Sequence, residues 1–125
     1  MFKETKAFSG FSVDDLAKAQ DFYANTLGLN VTVLVEDELM QLNLAGDVNV
    51  LAYAKDGHVP ATFTILNFPV ADVADAVRNL GAKGVSFERY DGMDQDDLGI
   101  AHGPGPEIAW FKDPAGNILS VLDQP

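Results

Sequence analysis

The stretch from Phe8 to Leu29, FSGFSVDDLAKAQDFYANTLGL, carries a strand, a helix cap, an amphipathic helix and a stop, in that order. Lys6 to Val13 alternates loosely and is rich in Phe, Ser and Gly, which reads as a strand with little bulk on one face. Asp14 stands where an N-cap is expected, and Asp15 adds a second carboxylate in the first turn, where the helix dipole favours it. Leu16, Ala19, Tyr23 and Leu27 recur at helical spacing with Phe22 beside them, and Gly28 stops the helix. Three strands follow: Val31 to Val35, Leu39 to Leu44 and Val48 to Ala54, with turns at Glu36–Glu38 and Ala45–Asp47. The first half of the chain therefore reads βαβββ.

A shorter version of the same pattern returns after the polar connector Lys55–Pro60. Thr62 to Val70 reads as a strand. Val73, Ala76, Val77 and Leu80 make a short amphipathic helix that Gly81 stops. Val85 to Tyr90, Glu107 to Lys112 and Asn117 to Leu122 read as strands, with a long loop over Asp91–Pro106 and a tight turn at Asp113–Gly116. Three pairs of letters match in the same order: Val13-Asp14-Asp15-Leu16 with Val70-Ala71-Asp72-Val73, Leu27-Gly28 with Leu80-Gly81, and Ala45-Gly46-Asp47-Val48 with Ala115-Gly116-Asn117-Ile118. Repetition in one order marks two copies of one unit. The expected fold class is α+β: two tandem βαβββ modules, about 5–54 and about 61–123 of one domain, forming a concave, cleft-bearing mixed sheet. Each module covers one face of its sheet with its helix, and the other face is the default ligand site.

Composition narrows the function. The chain has 125 residues and 47% hydrophobic content, enough for one domain with its own core. There is no apolar run long enough for a membrane span and no N-terminal signal pattern, so a cytoplasmic protein is expected. Cysteine is absent, which excludes disulfides, thiolate metal sites and cysteine nucleophiles. Nineteen acidic residues against eight basic ones give a net charge of −11, which disfavours nucleic acid as a partner; it would attract cationic small molecules, but with no dominant acidic cluster, solubility is the preferred reading of the charge. The run Asp91–Asp97 lacks the ligand spacing of a calcium loop and reads as a solvated loop. His58 in the connector and His102 in the Gly-Pro loop read as solvated, with His102 the better placed to meet a cleft.

The paired units, together with Val13-Asp14-Asp15-Leu16, Phe22-Tyr23, Leu27-Gly28 and the closing Phe111-Lys112-Asp113-Pro114-Ala115-Gly116-Asn117, resemble the vicinal oxygen chelate superfamily. That superfamily includes glyoxalases, extradiol dioxygenases and bleomycin resistance proteins, and the resemblance spans essentially the whole chain. It implies a divalent metal on the concave face, held by His, Gln or Glu of the first and last strands of each unit. Counting from the motifs puts those positions at Phe8, Val50, Ile65 and Ser120. None carries a nitrogen, carboxylate or thiolate donor, so no metal and no cofactor is expected there.

Strand alternation expects Phe8, Gly10, Ser12, Gln41, Asn43, Val48, Val50, Ala52, Phe63, Ile65, Asn67, Trp110, Ile118, Ser120 and Leu122 on the concave face. The reading that follows is a metal-independent binding protein for an apolar or cationic aromatic compound. Its ligand-binding candidates are Phe8, Gln41, Asn43, Val50, Ile65, Asn67, His102, Trp110 and Ser120, and it has no catalytic residue. The partner is a small molecule, with neither nucleic acid nor membrane, and the resemblance implies a homodimer with clefts shared between chains. One alternative is a metal-dependent lyase, transferase or dioxygenase that recruits His102, Glu107 or Gln41 as ligands. Another is a degenerate protein-interaction module.

Overall fold

The computed structural model describes residues 1–124, and the chain forms two compact units, Met1–Val59 and Pro60–Pro125. In the first unit, strand β1 (Ser9–Val13) leads into helix α1 (Leu16–Asp21), whose last turn widens to a π-helical turn over Phe22–Thr26. Strands β2 (Asn30–Val35), β3 (Leu39–Leu44) and β4 (Val48–Ala54) complete it. The sheet order is β1-β4-β3-β2, with β1 parallel to β4 and the other pairs antiparallel.

The pleat decides which side chains form the core. Phe11 and Val13 of β1, Met40 and Leu42 of β3, and Val50 and Ala52 of β4 are all buried. They lie on the side that α1 covers, and the helix adds Leu16, Ala19 and Tyr23. Tyr23 is central: it is fully buried, with Phe11 at 5.7 Å and Phe22 edge-on at 5.2 Å between ring centroids. Gly28 ends the turn in the left-handed region at φ 71°, a conformation that glycine adopts without strain.

The second unit has β5 (Thr64–Val70), α2 (Val73–Ala82), β6 (Ile108–Lys112) and β7 (Ile118–Asp123). Its sheet order is β5-β7-β6, parallel between β5 and β7 and antiparallel between β6 and β7. Ala109, Phe111, Leu119 and Val121 are buried together with Val73 and Val77 of α2. The β6–β7 turn is built on Asp113, a buried carboxylate that accepts from the backbone N–H of Ala115 and Asn117 and from the Asn117 amide. Gly116 is required there: its φ is +87°, and an added Cβ would sit 3.2 Å from Pro60.

Three expectations are corrected. The N-cap of α1 is Asp15, which accepts from the Lys18 amide at 3.2 Å, rather than Asp14. Asp72 caps α2 in the same way through Asp75, so the repeat itself had aligned the true caps. Next, Val85–Tyr90 does not form a strand; it contributes one bridge, Phe87 to Phe111. The Gln95 side chain binds the Glu88 carbonyl and the Tyr90 amide, which diverts two groups a ladder would have used. Finally, Phe63 lies outside β5 and is exposed.

Asp15→Ala is expected to lower the unfolding free energy by about 1 kcal/mol, and Asp14→Ala to change it by a few tenths at most, when both are measured by urea denaturation. Equal effects at the two positions would contradict the assignment of the cap.

Candidate functional site

In the first unit, the sheet face turned away from α1 is a field of amides. The register aligns Thr32, Gln41, Leu51 and Gly10 in one row across the strands. Asn30, Asn43 and Asn49 form the next row. The Gln41 amide donates to Asn43 Oδ1 at 2.7 Å, and the Asn43 amide donates to Thr32 Oγ1 at 3.0 Å. Gln41 and Asn43 are thus brought together as expected from their strand. At one end of this face is an open cavity of about 760 Å³, whose wall includes Phe8, Leu34, Gln41, Val48, Asn49 and Leu51. Phe8 precedes β1 and is 68% exposed, so it presents a bare ring to this space.

Val50 does not turn its side chain to that face, although it and Val48 are among the residues that line the cavity. It is buried, pairs with Ser9 and lies with Ala52 on the side α1 covers, and Val48 has the same parity. The expectation for Val48, Val50 and Ala52 fails because the two hairpins close differently. Leu44 pairs with Val48 across a three-residue turn, whereas Lys112 pairs with Ile118 across five residues. The matching letters Ala-Gly-Asp-Val and Ala-Gly-Asn-Ile therefore sit half a pleat apart. The position equivalent to Ser120, which pairs with Asn67, is Leu51, which pairs with Gly10.

In the second unit, the face away from α2 brings three expected residues into one row: Asn67, Ser120 and Trp110. Ser120 is buried, and its hydroxyl donates to Asn67 Oδ1 at 2.6 Å. Trp110 is part-exposed, and Tyr90 packs edge-on against it at 5.5 Å. Burial and the nearby Glu88 carboxylate push the Tyr90 hydroxyl above its ordinary pKa, so it stays neutral across the physiological range. Ile65 falls at the β-bulge between Thr64 and Leu66, which removes it from the pairing register. A second cavity, about 350 Å³, is walled by Met93, Asp94, His102, Pro106, Ile108 and Trp110.

The loop over residues 91–107 is not merely solvated. Asp96 Oδ1 accepts the amides of Leu98 and Ile100, and Arg89 binds the Asp96 and Asp97 carbonyls at 2.7 and 3.0 Å. His102 bridges two carboxylates, with Nε2 at 2.8 Å from Asp96 and Nδ1 at 2.6 Å from Glu107. The hydrogen bond to Asp96, reinforced by the charges of Glu107, Asp96 and Asp94, raises the His102 pKa against a smaller opposing effect of desolvation. For Asp96, burial acts to raise the pKa, but the hydrogen bonds from His102, Ile100 and Leu98 outweigh it and hold the carboxyl below its ordinary value. His58 is also more than a solvated side chain: it is part-buried, and its Nδ1 lies 2.7 Å from Ser12 Oγ.

The donor chemistry does not suit a divalent metal at the positions the fold family uses. With Leu51 in place of Val50, those positions hold Phe8, Leu51, Ile65 and Ser120: two aliphatic side chains, a phenyl ring and a hydroxyl already bonded to Asn67. Of the substitutes, His102 has both ring nitrogens against carboxylates, and Gln41 donates its amide N–H to Asn43.

Tyr90 and the Asp96–His102–Glu107 bridge were not candidates from the sequence. The bridge had a signal, one histidine among acidic residues in a loop between two Gly-Pro pairs and a strand. Its geometry depends on how the loop folds back, which spacing does not encode.

The pH dependence of stability follows from the signs of these shifts. His102, raised above its ordinary 6.5, contributes stability that is fully present below that value and is lost as pH rises through the folded-state pKa. Asp96, lowered below 3.8, contributes stability that is present above that value and is lost as pH falls through its folded-state pKa. A plot of melting temperature against pH should therefore decline on the alkaline side of neutrality in the wild type more than in His102→Gln. Parallel profiles for the two proteins would contradict the bridge.

A sequence profile of the Glyoxalase/Bleomycin resistance protein/Dioxygenase superfamily matches residues 8–121. Among solved structures, the chain is similar to a lactoylglutathione lyase from Agrobacterium tumefaciens, with 19% identity, a TM-score of 0.70, and 97% of this chain and 95% of that one covered. A superfamily member from Sphaerobacter thermophilus matches at 25% identity and a TM-score of 0.69, covering 96% and 98%. An antibiotic-binding protein from a Streptomyces species matches at 24% identity and a TM-score of 0.69, covering 98% of each chain. A probable cytosol aminopeptidase from Hydrogenovibrio crunogenus is 29% identical over 107 residues, but these make up 86% of this chain and only 20% of that protein. The profile match over nearly the full length, and the fold shared with these structures, show that the chain belongs to the glyoxalase/bleomycin resistance protein/dioxygenase superfamily.

Proposed function

We propose that this protein binds and sequesters a small aromatic compound, apolar or cationic, without a metal ion. The observation that carries this reading is the row Asn67–Ser120–Trp110 on the face of the second sheet away from its helix. An indole wall beside hydrogen-bonding groups is the usual make-up of a small-molecule site. It stands in a chain whose metal-ligand positions hold Phe8, Leu51, Ile65 and Ser120.

Phe8 and Leu51 are a further support. At positions where the fold's enzymes place polar donors, they line an apolar-walled cavity in the first unit. The charge of −11 favours a cationic ligand, because it raises the local concentration of cations around the whole molecule. A structural neighbour named for antibiotic binding supports the class of function, though not the identity of the ligand. Absence of cysteine suits a reducing compartment such as the cytoplasm, and no helix among the described residues is long and apolar enough to cross a membrane. We expect a homodimer, as for many members of the superfamily.

Trp110 is the only tryptophan of the chain, so its emission reports the proposed site directly. Titration with a panel of fused-ring aromatic compounds should shift or quench that emission, and Trp110→Ala should weaken binding about tenfold or more, as loss of a central aromatic anchor does. Binding should be indifferent to a chelator, and elemental analysis should show no stoichiometric divalent metal. A panel that leaves both the emission and the melting temperature unmoved would sink this reading.

A further inference from the structure

We propose that the loop over residues 91–107 is the movable wall of the Trp110 cavity, and that a proton on His102 latches it shut. The proposal rests on the binding reading above and concerns the regulation of that same site.

The geometry requires the imidazolium. Nε2 lies 2.8 Å from Asp96 and Nδ1 lies 2.6 Å from Glu107, so each ring nitrogen is at hydrogen-bonding distance from a carboxylate. A charged imidazole has two N–H donors and satisfies both. A neutral imidazole has one N–H and one lone pair, and the lone pair would then face a carboxylate oxygen. Deprotonation breaks one of the two links whichever tautomer forms.

The two links join different parts of the structure. Asp96 is fixed in the loop by the amides of Leu98 and Ile100, and Arg89 holds its carbonyl. Glu107 is fixed to the sheet, where its amide donates to Asp123 and its carbonyl accepts from the Asp123 amide. His102 therefore adds a side-chain tie at the start of β6, next to the backbone pair Ala101–Ile108, which holds the base of the loop at 2.8 and 3.4 Å. Between the tied points lies Gly103-Pro104-Gly105-Pro106, and Gly103, Gly105 and Pro106 line the cavity with Met93, Asp94 and Trp110. Opening the latch leaves the Ala101–Ile108 pair in place and loosens the Gly103–Pro106 tip beyond it, which lines the cavity with the indole.

The charges around His102 all favour its protonated form. Asp96 and Glu107 touch it, and Asp94 adds a third negative field from the same loop. The cations that flank this region are engaged elsewhere, Arg89 on the carbonyls of Asp96 and Asp97 and Lys112 on Glu88 at 3.1 Å. The histidine is about half exposed, so protons exchange with it freely. Exposed ion pairs are individually weak, which suits an element that must open as well as close.

The test uses a neutral probe, N-phenyl-1-naphthylamine, so that the ligand's own charge stays constant. Wild-type affinity should fall about tenfold between about pH 6 and pH 9, the change expected when binding favours the imidazolium form by one pKa unit. The midpoint should coincide with the His102 titration read by NMR. His102→Arg keeps a permanent charge with a planar fork of donors, so its affinity should stay flat over that range, and His102→Gln should bind weakly and without pH dependence.

A second readout needs no ligand. Amide exchange at Leu98 and Ile100, corrected for its intrinsic pH dependence, should lose protection with rising pH in the wild type and retain it in His102→Arg. Probe binding that stays constant while His102 titrates would overturn the latch and leave the binding reading standing. Absence of probe binding at every pH, with the exchange pattern as expected, would overturn the binding reading and confine the latch to the loop. Equal exchange in wild type and His102→Arg overturns the latch itself.

Discussion

Each β-sheet in this chain has two faces, and one helix per unit can cover only one of them. The rest of the structure follows from that shortage. Phe11, Val13, Met40, Leu42, Val50 and Ala52 fill the covered face of the first sheet, and Phe111, Leu119, Val121 and Ala109 fill that of the second. Alternation along the strands then sends the intervening residues to the opposite face: Gln41, Asn43 and Leu51 in one unit, and Asn67, Ser120 and Trp110 in the other. Packing chooses the residues of the core, and the residues left over compose the candidate site.

What is left over is the ground on which binding is proposed rather than catalysis. The fold is shared with a lyase and with an antibiotic-binding protein, so it does not decide between the two chemistries. The donor set does bear on the choice. A divalent cation must recover from nitrogen or oxygen ligands the free energy of the hydration it gives up, and Phe8, Leu51 and Ile65 cannot supply it. The Ser120 hydroxyl is buried and committed to Asn67, so the part-exposed indole of Trp110, with Tyr90 packed edge-on against it, is the surface proposed to meet a flat molecule.

Much of this was legible in the sequence, and the parts that were not have physical reasons. Local signals gave the helices, the Gly28 stop and the repeat, because periodicity is a property of neighbouring residues; the second helix runs through Gly81, expected as its stop, to Ala82, with Lys83 as its cap. They placed Asn67, Ser120 and Trp110 on one face, since counting by two along a strand is reliable where the ladder is regular. Counting failed at Val50, because a turn two residues shorter than its counterpart shifts the pleat by half a period while leaving the letters aligned. It failed at Ile65, where a bulge adds a residue to the strand. The strand expected at Val85–Tyr90 was lost to a competitor distant from its own pattern, the Gln95 side chain. The sequence singled out His102 but not its bridge, which joins carboxylates on either side of a Gly-Pro turn whose course only the folded chain defines.

The central claim is that a small aromatic molecule binds at the Trp110 face with no metal ion present. The most direct test is the amide and indole NMR spectrum of protein stripped of metal by a chelator and titrated with a fused-ring aromatic compound. The account predicts that the single indole N–H signal of Trp110 moves saturably, together with the amides of Asn67, Ser120 and Ile108. It also predicts that adding zinc, manganese or magnesium leaves the affinity unchanged. Perturbations that appear only after a divalent metal is restored would contradict it.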